Sequence, residues 1–321
     1  MTHNCHVPLE ITLQILEADI PEGRPNRTLD VSKPNMQQLL TWAKVCRATY
    51  EPAIQFLRQH CIYFDSASRL RKFLQCLGAE EDGVSSSTLP KTMRLCHVST
   101  VYLGLGMEEI QTVETSATIR DLLVTLGGSV RRLVVDLPYR WITQEHSIDP
   151  HIDTLFSQGL RALTNLEEFT TLGGLPSLEF WRDGFDIGQM WPRLRRVAGF
   201  KMNLAEESLW SNVARDRTIE HLVITMPQIS RRNKWNIKRA IGGKAWKNEE
   251  GGDSTHARPL RVVVAQHKYT APMLDTRDEN IHDPEGLIDL SMFEIPVIPK
   301  EVDWLCKDWL VMSARDDTLW E

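Results

Sequence analysis

Val130-Arg131-Arg132-Leu133-Val134-Val135 carries apolar residues at its first, fourth and sixth positions. Val98-Ser99-Thr100-Val101-Tyr102-Leu103 and Ile219-Glu220-His221-Leu222-Val223-Ile224 fit the same apolar-x-x-apolar-x-apolar frame. Leu166-Glu167-Glu168-Phe169-Thr170-Thr171 keeps the first two positions and puts Thr171 at the third. Leu194-Arg195-Arg196-Val197 and Leu260-Arg261-Val262-Val263-Val264 are further β-like runs. Short apolar runs of this composition read as strands. Their starts lie 32, 36, 28, 25 and 41 residues apart.

Helical patterns fill the intervals. Ile119, Leu122, Leu123 and Leu126 form a stripe that ends at Gly127-Gly128, with Thr118 and Asp121 spaced as a capping box at its start. Asp149-Pro150 opens a second helix with Ile152, Leu155, Phe156, Leu160 and Leu163 on one face. Leu204, Leu209 and Val213 mark a shorter one. A strand and a helix alternating about every thirty residues indicate a solenoid or another parallel β/α array.

Alternate strand residues point to opposite faces. With the frame positions inward, Thr100, Tyr102, Arg132, Val134, Asp136, Glu168, Thr170, Arg196, Ala198, His221, Val223 and Thr225 line the open face of the sheet. Tyr102, Arg132, Asp136, Glu168, Arg196 and His221 are the candidate target contacts. Two arginines, two acids, a histidine and a tyrosine suit a protein or peptide better than a nucleic acid. The same residues equally describe a solvated sheet face with no ligand.

Residues 95–270 resemble degenerate leucine-rich repeats, whose concave face is the usual binding surface. The rival reading is a doubly wound α/β enzyme domain. No glycine-rich phosphate loop follows any strand: Leu103-Gly104-Leu105-Gly106 lacks the third glycine and the helix start. There is no GxSxG elbow. His146, Asp149, His151 and Asp153 lie close enough in sequence to suggest metal ligands. Asp149 is better read as a helix cap, and His151 and Asp153 as solvent-facing. No catalytic residue, metal ligand or cofactor is assigned.

At the front of the chain, Leu9, Leu13, Leu16 and Ile20 form one helical stripe, and Ile11 and Ile15 form a second. A helix apolar on two sides needs a second surface to bury. Met36, Leu39, Leu40, Ala43 and Tyr50 repeat at helical spacing, widened by Trp42, Val45 and Cys46. Ile54, Leu57 and Cys61 follow Pro52 as a third short helix. Pro8-Leu9-Glu10-Ile11, Ile15-Leu16, Leu39-Leu40 and Val45-Cys46-Arg47-Ala48-Thr49-Tyr50 together resemble an F-box over residues 5–60. Val7 stands where leucine is commoner, and the proline-rich stretch 21–35 is longer than usual.

The resemblance implies a non-catalytic, substrate-recognition subunit of a Skp–cullin–F-box ubiquitin ligase. It would dock a Skp-type adaptor, and through it a cullin, by Pro8, Leu9, Ile11, Ile15, Leu16, Leu39, Leu40, Val45 and Cys46. The repeat region would hold a target protein. Two other classes remain open: a scaffold that serves outside a ligase, and an α/β enzyme with an unrecognised site.

The expected architecture is α/β. A small helical F-box-like bundle spans 1–78, although the Leu70, Phe73, Leu74 and Leu77 helix could belong to either side. A linker or long loop spans 79–94. A leucine-rich-repeat-like β/α solenoid fills 95–321. Residues 287–298 read as a covering segment. A last helix with Val302, Leu305, Trp309 and Met312 on one face reads as a cap on the end of the array. Of ten tryptophans, most should be structural, and Trp320 is a candidate exposed contact.

Arg231, Arg232, Lys234, Lys238, Arg239, Lys244 and Lys247, interleaved with Trp235 and Trp246, form a local basic stretch. It reads as a contact for phosphate or an acidic degron, as a nuclear-import segment, or as a solvated helix whose tryptophans, Ile237 and Ile241 pack on the array, and the last is preferred. The formal charge of −6 gives no general pull toward nucleic acid or anionic membrane. No apolar run approaches the about eighteen residues of a membrane span. Cys5, Cys46, Cys61, Cys76, Cys96 and Cys306 are scattered singly. They read as reduced thiols of a cytoplasmic or nuclear protein.

Overall fold

The computed structural model describes residues 8–19, 34–60, 62–81, 98–138, 150–173, 190–205, 207–228, 235–242, 258–267, 274–275, 279–296 and 301–321. At its centre is an eight-stranded sheet in which every strand is parallel to its neighbour and spatial order follows chain order. The strands are β1 (Tyr63–Phe64), β2 (Thr100–Leu103), β3 (Arg132–Val135), β4 (Glu168–Thr171), β5 (Arg196–Phe200), β6 (His221–Thr225), β7 (Leu260–Gln266) and β8 (Ile288–Glu294).

All six runs read from the sequence overlap a strand. In five of them the first apolar residue precedes it. Val98, Val130, Leu166, Leu194 and Ile219 are buried just before β2 to β6. This explains why the frame opens with a two-residue gap before it alternates. The entry is repeated in the hydrogen bonding. The Ser99 carbonyl accepts from the N–H groups of both Arg131 and Arg132, at 2.8 and 3.0 Å. The Arg131, Glu167 and Arg195 carbonyls each accept two N–H groups from the next strand entry in the same way. These shared acceptors fix the register of one strand on the next.

Two strands differ from the sequence reading. β1 is too short to show a period, yet Tyr63 pairs with Tyr102 and Phe64 with Leu103. β8 occupies the stretch read as a covering segment, and it pairs with β7 along its whole length. Its alternating Ile288, Leu290 and Met292 carry the strand signal.

The helices that face the frame residues are α4 (Ala67–Glu81), α5 (Met107–Ile110), α6 (Val113–Leu126), α7 (Pro150–Arg161), α8 (Glu207–Arg215) and α9 (Ile237–Gly242). α10 (Glu279–His282) contacts α9. One core holds Leu70, Leu122, Phe156, Trp210 and Ile241 from the helices with Val101, Leu133, Phe169, Val197, Leu222 and Val262 from the strands. α4 and β1 therefore belong to the sheet, not to the 1–78 bundle, because Ile62, Phe64, Ala67 and Leu70 are buried in this core. α6 starts earlier than its apolar stripe suggests. Thr112 caps it by accepting the Thr115 N–H, whereas Thr118 bonds back to the Glu114 carbonyl. In the basic stretch, Ile237 and Ile241 enter the core and Lys238 pairs with buried Asp283 at 3.1 Å. Its other named basic residues except Arg239, which is exposed, lie outside the described residues.

The last helix, α11 (Val302–Asp316), does not cap the end of the array. It lies across the other face of the sheet. Leu310, Ala314 and Leu319 pack there on Tyr102, Val134, Ala198 and Val223. Leu305 and Cys306 pack on Ala265 and Ile295. The cause is composition: Tyr102, Val134, Ala198, Val223 and Val263 make one row of that face apolar, and it needs cover.

Ahead of the sheet, α1 (Leu9–Asp19), α2 (Pro34–Trp42) and α3 (Arg47–His60) pack on one another. Leu16, Met36, Leu39, Ala53 and Leu57 form their separate apolar cluster. Buried Thr49 ties the turn between α2 and α3: its hydroxyl donates to the Trp42 carbonyl at 2.7 Å and accepts the Cys46 N–H at 3.3 Å.

Two adjacent glycines test how closely α6 and α7 are stacked. A Cβ on Gly127 would overlap the carbonyl oxygen of Ala162, while one on Gly128 would meet nothing within 4 Å. Gly127→Ala should lose about 1–3 kcal/mol of stability in urea unfolding. Gly128→Ala should stay within about 0.5 kcal/mol of wild type.

Candidate functional site

The candidate adaptor residues divide by burial. Leu9, Ile11 and Ile15 on α1 and Val45 after α2 are 46, 44, 43 and 56% exposed, whereas Leu16 and Leu39 are 1 and 0% exposed. Leu16 and Leu39, expected at the docking surface, are core residues of the three-helix cluster, and Leu40 is a half-buried neighbour of it. Pro8 and Cys46 are exposed. Hydrogen bonding to Thr49 holds the Cys46 thiol below its usual pKa. Ile11 and Ile15, four residues apart, share one helix face.

The candidate target residues lie on the second sheet face, where register sets them in rows. One row runs Thr100, Arg132, Glu168, Arg196, His221, Arg261 and Asp289 across β2 to β8. The next runs Tyr102, Val134, Thr170, Ala198, Val223, Val263 and Ser291. Asp136 follows β3 on the same side. The first row nearly alternates in charge, so neighbouring strands pair. Arg132 lies 3.3 Å from Glu168, and Arg196 lies 2.6 Å from it.

This face is not open, which corrects the sequence reading. All six candidate residues meet the C-terminal segment. Arg132 is buried, donates to the Ala314 carbonyl and pairs with Asp317 at 3.3 Å. Ala314 lies in the last turn of the helix, where backbone carbonyls lack helical partners and carry partial negative charge. Asp317 sits in the left-handed region at φ 59° and turns the chain back onto the sheet. Trp320 then donates its indole N–H to Glu168 at 3.0 Å. Its ring stacks on His221 with centroids 6.5 Å apart and lies under the Arg196 guanidinium at 5.9 Å. Trp320 is thus half-buried and internally bound, not an exposed contact. Asp136 pairs with Lys307 of α11 at 2.6 Å and accepts from the Tyr102 hydroxyl at 3.4 Å. Tyr102 stacks on Tyr63 and packs in the cluster with Leu310 and Ala314.

These surroundings set the titration behaviour. Burial, then the Asp136 charge, raises the Tyr102 pKa. Burial, then the Arg196 and Arg261 charges, lowers that of His221. The partners Asp317, Lys307 and Trp320 were not assigned to the site from sequence, because nothing local says which sheet row a tail will cross.

Two cavities border α11. One, of about 500 Å³, opens beyond the carboxyl ends of β4 to β6, between Leu172, Phe200, Lys201 and Gln228 and the α11 residues Asp303, Trp304 and Lys307. Its lysines are both paired, Lys201 with Asp303 and Lys307 with Asp136. The other, of about 510 Å³, lies between β6 to β8 and the end of the chain and is bordered by His221, Arg261, Val263, Phe293, Trp309 and Trp320. Among the described residues no group of three or more histidine, cysteine, aspartate or glutamate side chains could hold a metal ion. His146 and Asp149 lie outside the described residues. None of the described helices is long and apolar enough to cross a membrane.

No protein-family model, curated protein or solved structure matches the chain.

Two outcomes follow from the charged row. Arg132→Ala takes one of two arginines from buried Glu168 and an ion-pair partner from Asp317, and should cost about 3–5 kcal/mol in chemical denaturation. Folding lowers the His221 pKa, so the unfolded chain takes up the proton first and stability falls as pH drops below about 6.5. His221→Gln should therefore lose less stability than wild type between about pH 7.5 and 5.5 in paired thermal melts.

Proposed function

We propose that the chain is the substrate-recognition subunit of a Skp–cullin–F-box ubiquitin ligase. One observation carries this reading. α1 and the turn after α2 leave Leu9, Ile11, Ile15 and Val45 exposed, while Leu16 and Leu39 supply the core behind them. Exposed large apolar side chains on a small helical unit are typical of a surface completed by a partner. The ordered F-box-like residues give that partner its identity, a Skp-type adaptor with a cullin behind it.

The sheet domain fits the second half of the reading. Parallel strands in strict chain order, with stacked helices on one side, support a leucine-rich-repeat-like solenoid. Its role is to hold a target protein. Of the six candidate target residues, His221 borders a cavity that α11 leaves open. The subunit needs no catalytic group, because it acts by proximity, bringing target lysines to a charged transfer enzyme. Such a protein works in the cytoplasm or nucleus, where Cys46 and Cys306 remain free thiols.

The test is titration of the full chain with a purified Skp-type adaptor. Wild type should bind at micromolar concentration or tighter. Ile11→Asp and Ile15→Asp should each weaken binding at least about tenfold, or 1.4 kcal/mol, with unchanged circular dichroism. Absence of binding at tens of micromolar by a folded chain would overturn the reading.

A further inference from the structure

We propose that the cavity between β6 to β8 and the end of the chain binds a small amphipathic carboxylate. Its anionic head would sit on Arg261 and His221, and its apolar body against Trp309 and Trp320. This site stands apart from the adaptor-docking reading and does not depend on it.

Three observations converge. The first is size and lining. About 510 Å³ falls within the range of small-ligand pockets. Part of the lining is apolar and aromatic: Val223 and Val263 belong to it, and Phe293 stacks on Trp309 with ring centroids 5.2 Å apart.

The second is the charge left over in the row beneath it. Arg132 and Arg196 are committed to Glu168, Arg132 also to Asp317. Arg261, next along, has a looser tie: Asp289 lies 3.9 Å away and is itself mostly exposed. A guanidinium at the limit of ion-pair distance, beside a partly apolar pocket, gains from a closer carboxylate, which its planar fork matches with two hydrogen bonds.

The third is an orphan polar atom. His221 is paired in register with Arg261, and its Nδ1 is buried without a hydrogen-bond partner. A carboxyl group seated on Arg261 lies beside this imidazole and reaches Nδ1 once the side chains that cover it shift aside. The imidazole is held toward its neutral form by burial and by Arg196 and Arg261. One guanidinium matches a single negative charge. Glu321 also borders the cavity, which steers the head toward the Arg261 side and disfavours a dianion.

The same geometry offers a direct signal, because Trp320 and Trp309 line the cavity. The experiment titrates the full chain with octanoate, 1-octanol and octylammonium, which share a chain and differ in charge, and follows tryptophan fluorescence and heat. Octanoate should bind saturably at one site and change the fluorescence, with 1-octanol and octylammonium at least about tenfold weaker. Arg261→Gln should weaken octanoate about tenfold and leave 1-octanol unchanged. Trp304→Phe, outside this cavity, should keep both the affinity and the signal. Equal binding of the three probes, or no saturable octanoate binding up to about 1 mM, would overturn the proposal. Unchanged octanoate binding by Arg261→Gln would do the same. If that variant fails to fold, the comparison of the three probes on the wild-type chain decides alone.

Discussion

The guanidinium of Arg132 is where the sheet and the C-terminal segment meet. It sits in the third strand, buried, between a carboxylate of the next strand, a helix-terminal carbonyl and the carboxylate of Asp317. A buried cation is tolerable only with such partners. The position of α11 follows from it. The helix must end where its carbonyls reach Arg132, and Asp317 must then turn the chain so that Leu319 and Trp320 return to the sheet. Lys307 on Asp136 and Asp303 on Lys201 hold the same helix farther up the strands. Polar groups thus set the register of α11, and Leu310 and Ala314 supply the apolar contact under it.

Much of the sheet was legible because its signal is local and repeated. Val98, Val130, Leu166, Leu194 and Ile219 mark strand entries, and the residues after them alternate. Two strands escaped for opposite reasons. Tyr63–Phe64 is too short for any period, while Ile288–Glu294 does alternate but follows an irregular stretch that hid its link to the array. The destination of the last helix was not legible, since no local pattern names a partner about two hundred residues away. A partial signal was present. Val134, Ala198 and Val223 are apolar at positions assigned to the open face, and a solvated row would not be built from them.

The N-terminal helices show the same limit on a smaller scale. Spacing placed Leu9, Ile11, Ile15 and Leu16 on α1 and suggested two stripes. It could not say which stripe faces inward, because a four-residue spacing describes a face and not its neighbour. Packing on Met36, Leu39, Ala53 and Leu57 makes that choice, taking Leu16 and leaving Ile11 and Ile15 outside.

The order of elements along the chain carries a consequence for biosynthesis. α11 follows every strand it covers, so during translation the face made by Tyr102, Val134, Ala198 and Val223 exists before its cover does. Arg132 and Glu168 wait in the same interval for Asp317 and Trp320. The growing chain therefore passes through a stage with a formed helical side and a bare, partly apolar sheet face, a state prone to association with other chains. A chain that stops before Val302 keeps that face bare, because the segment from Val302 to Trp320 supplies its cover.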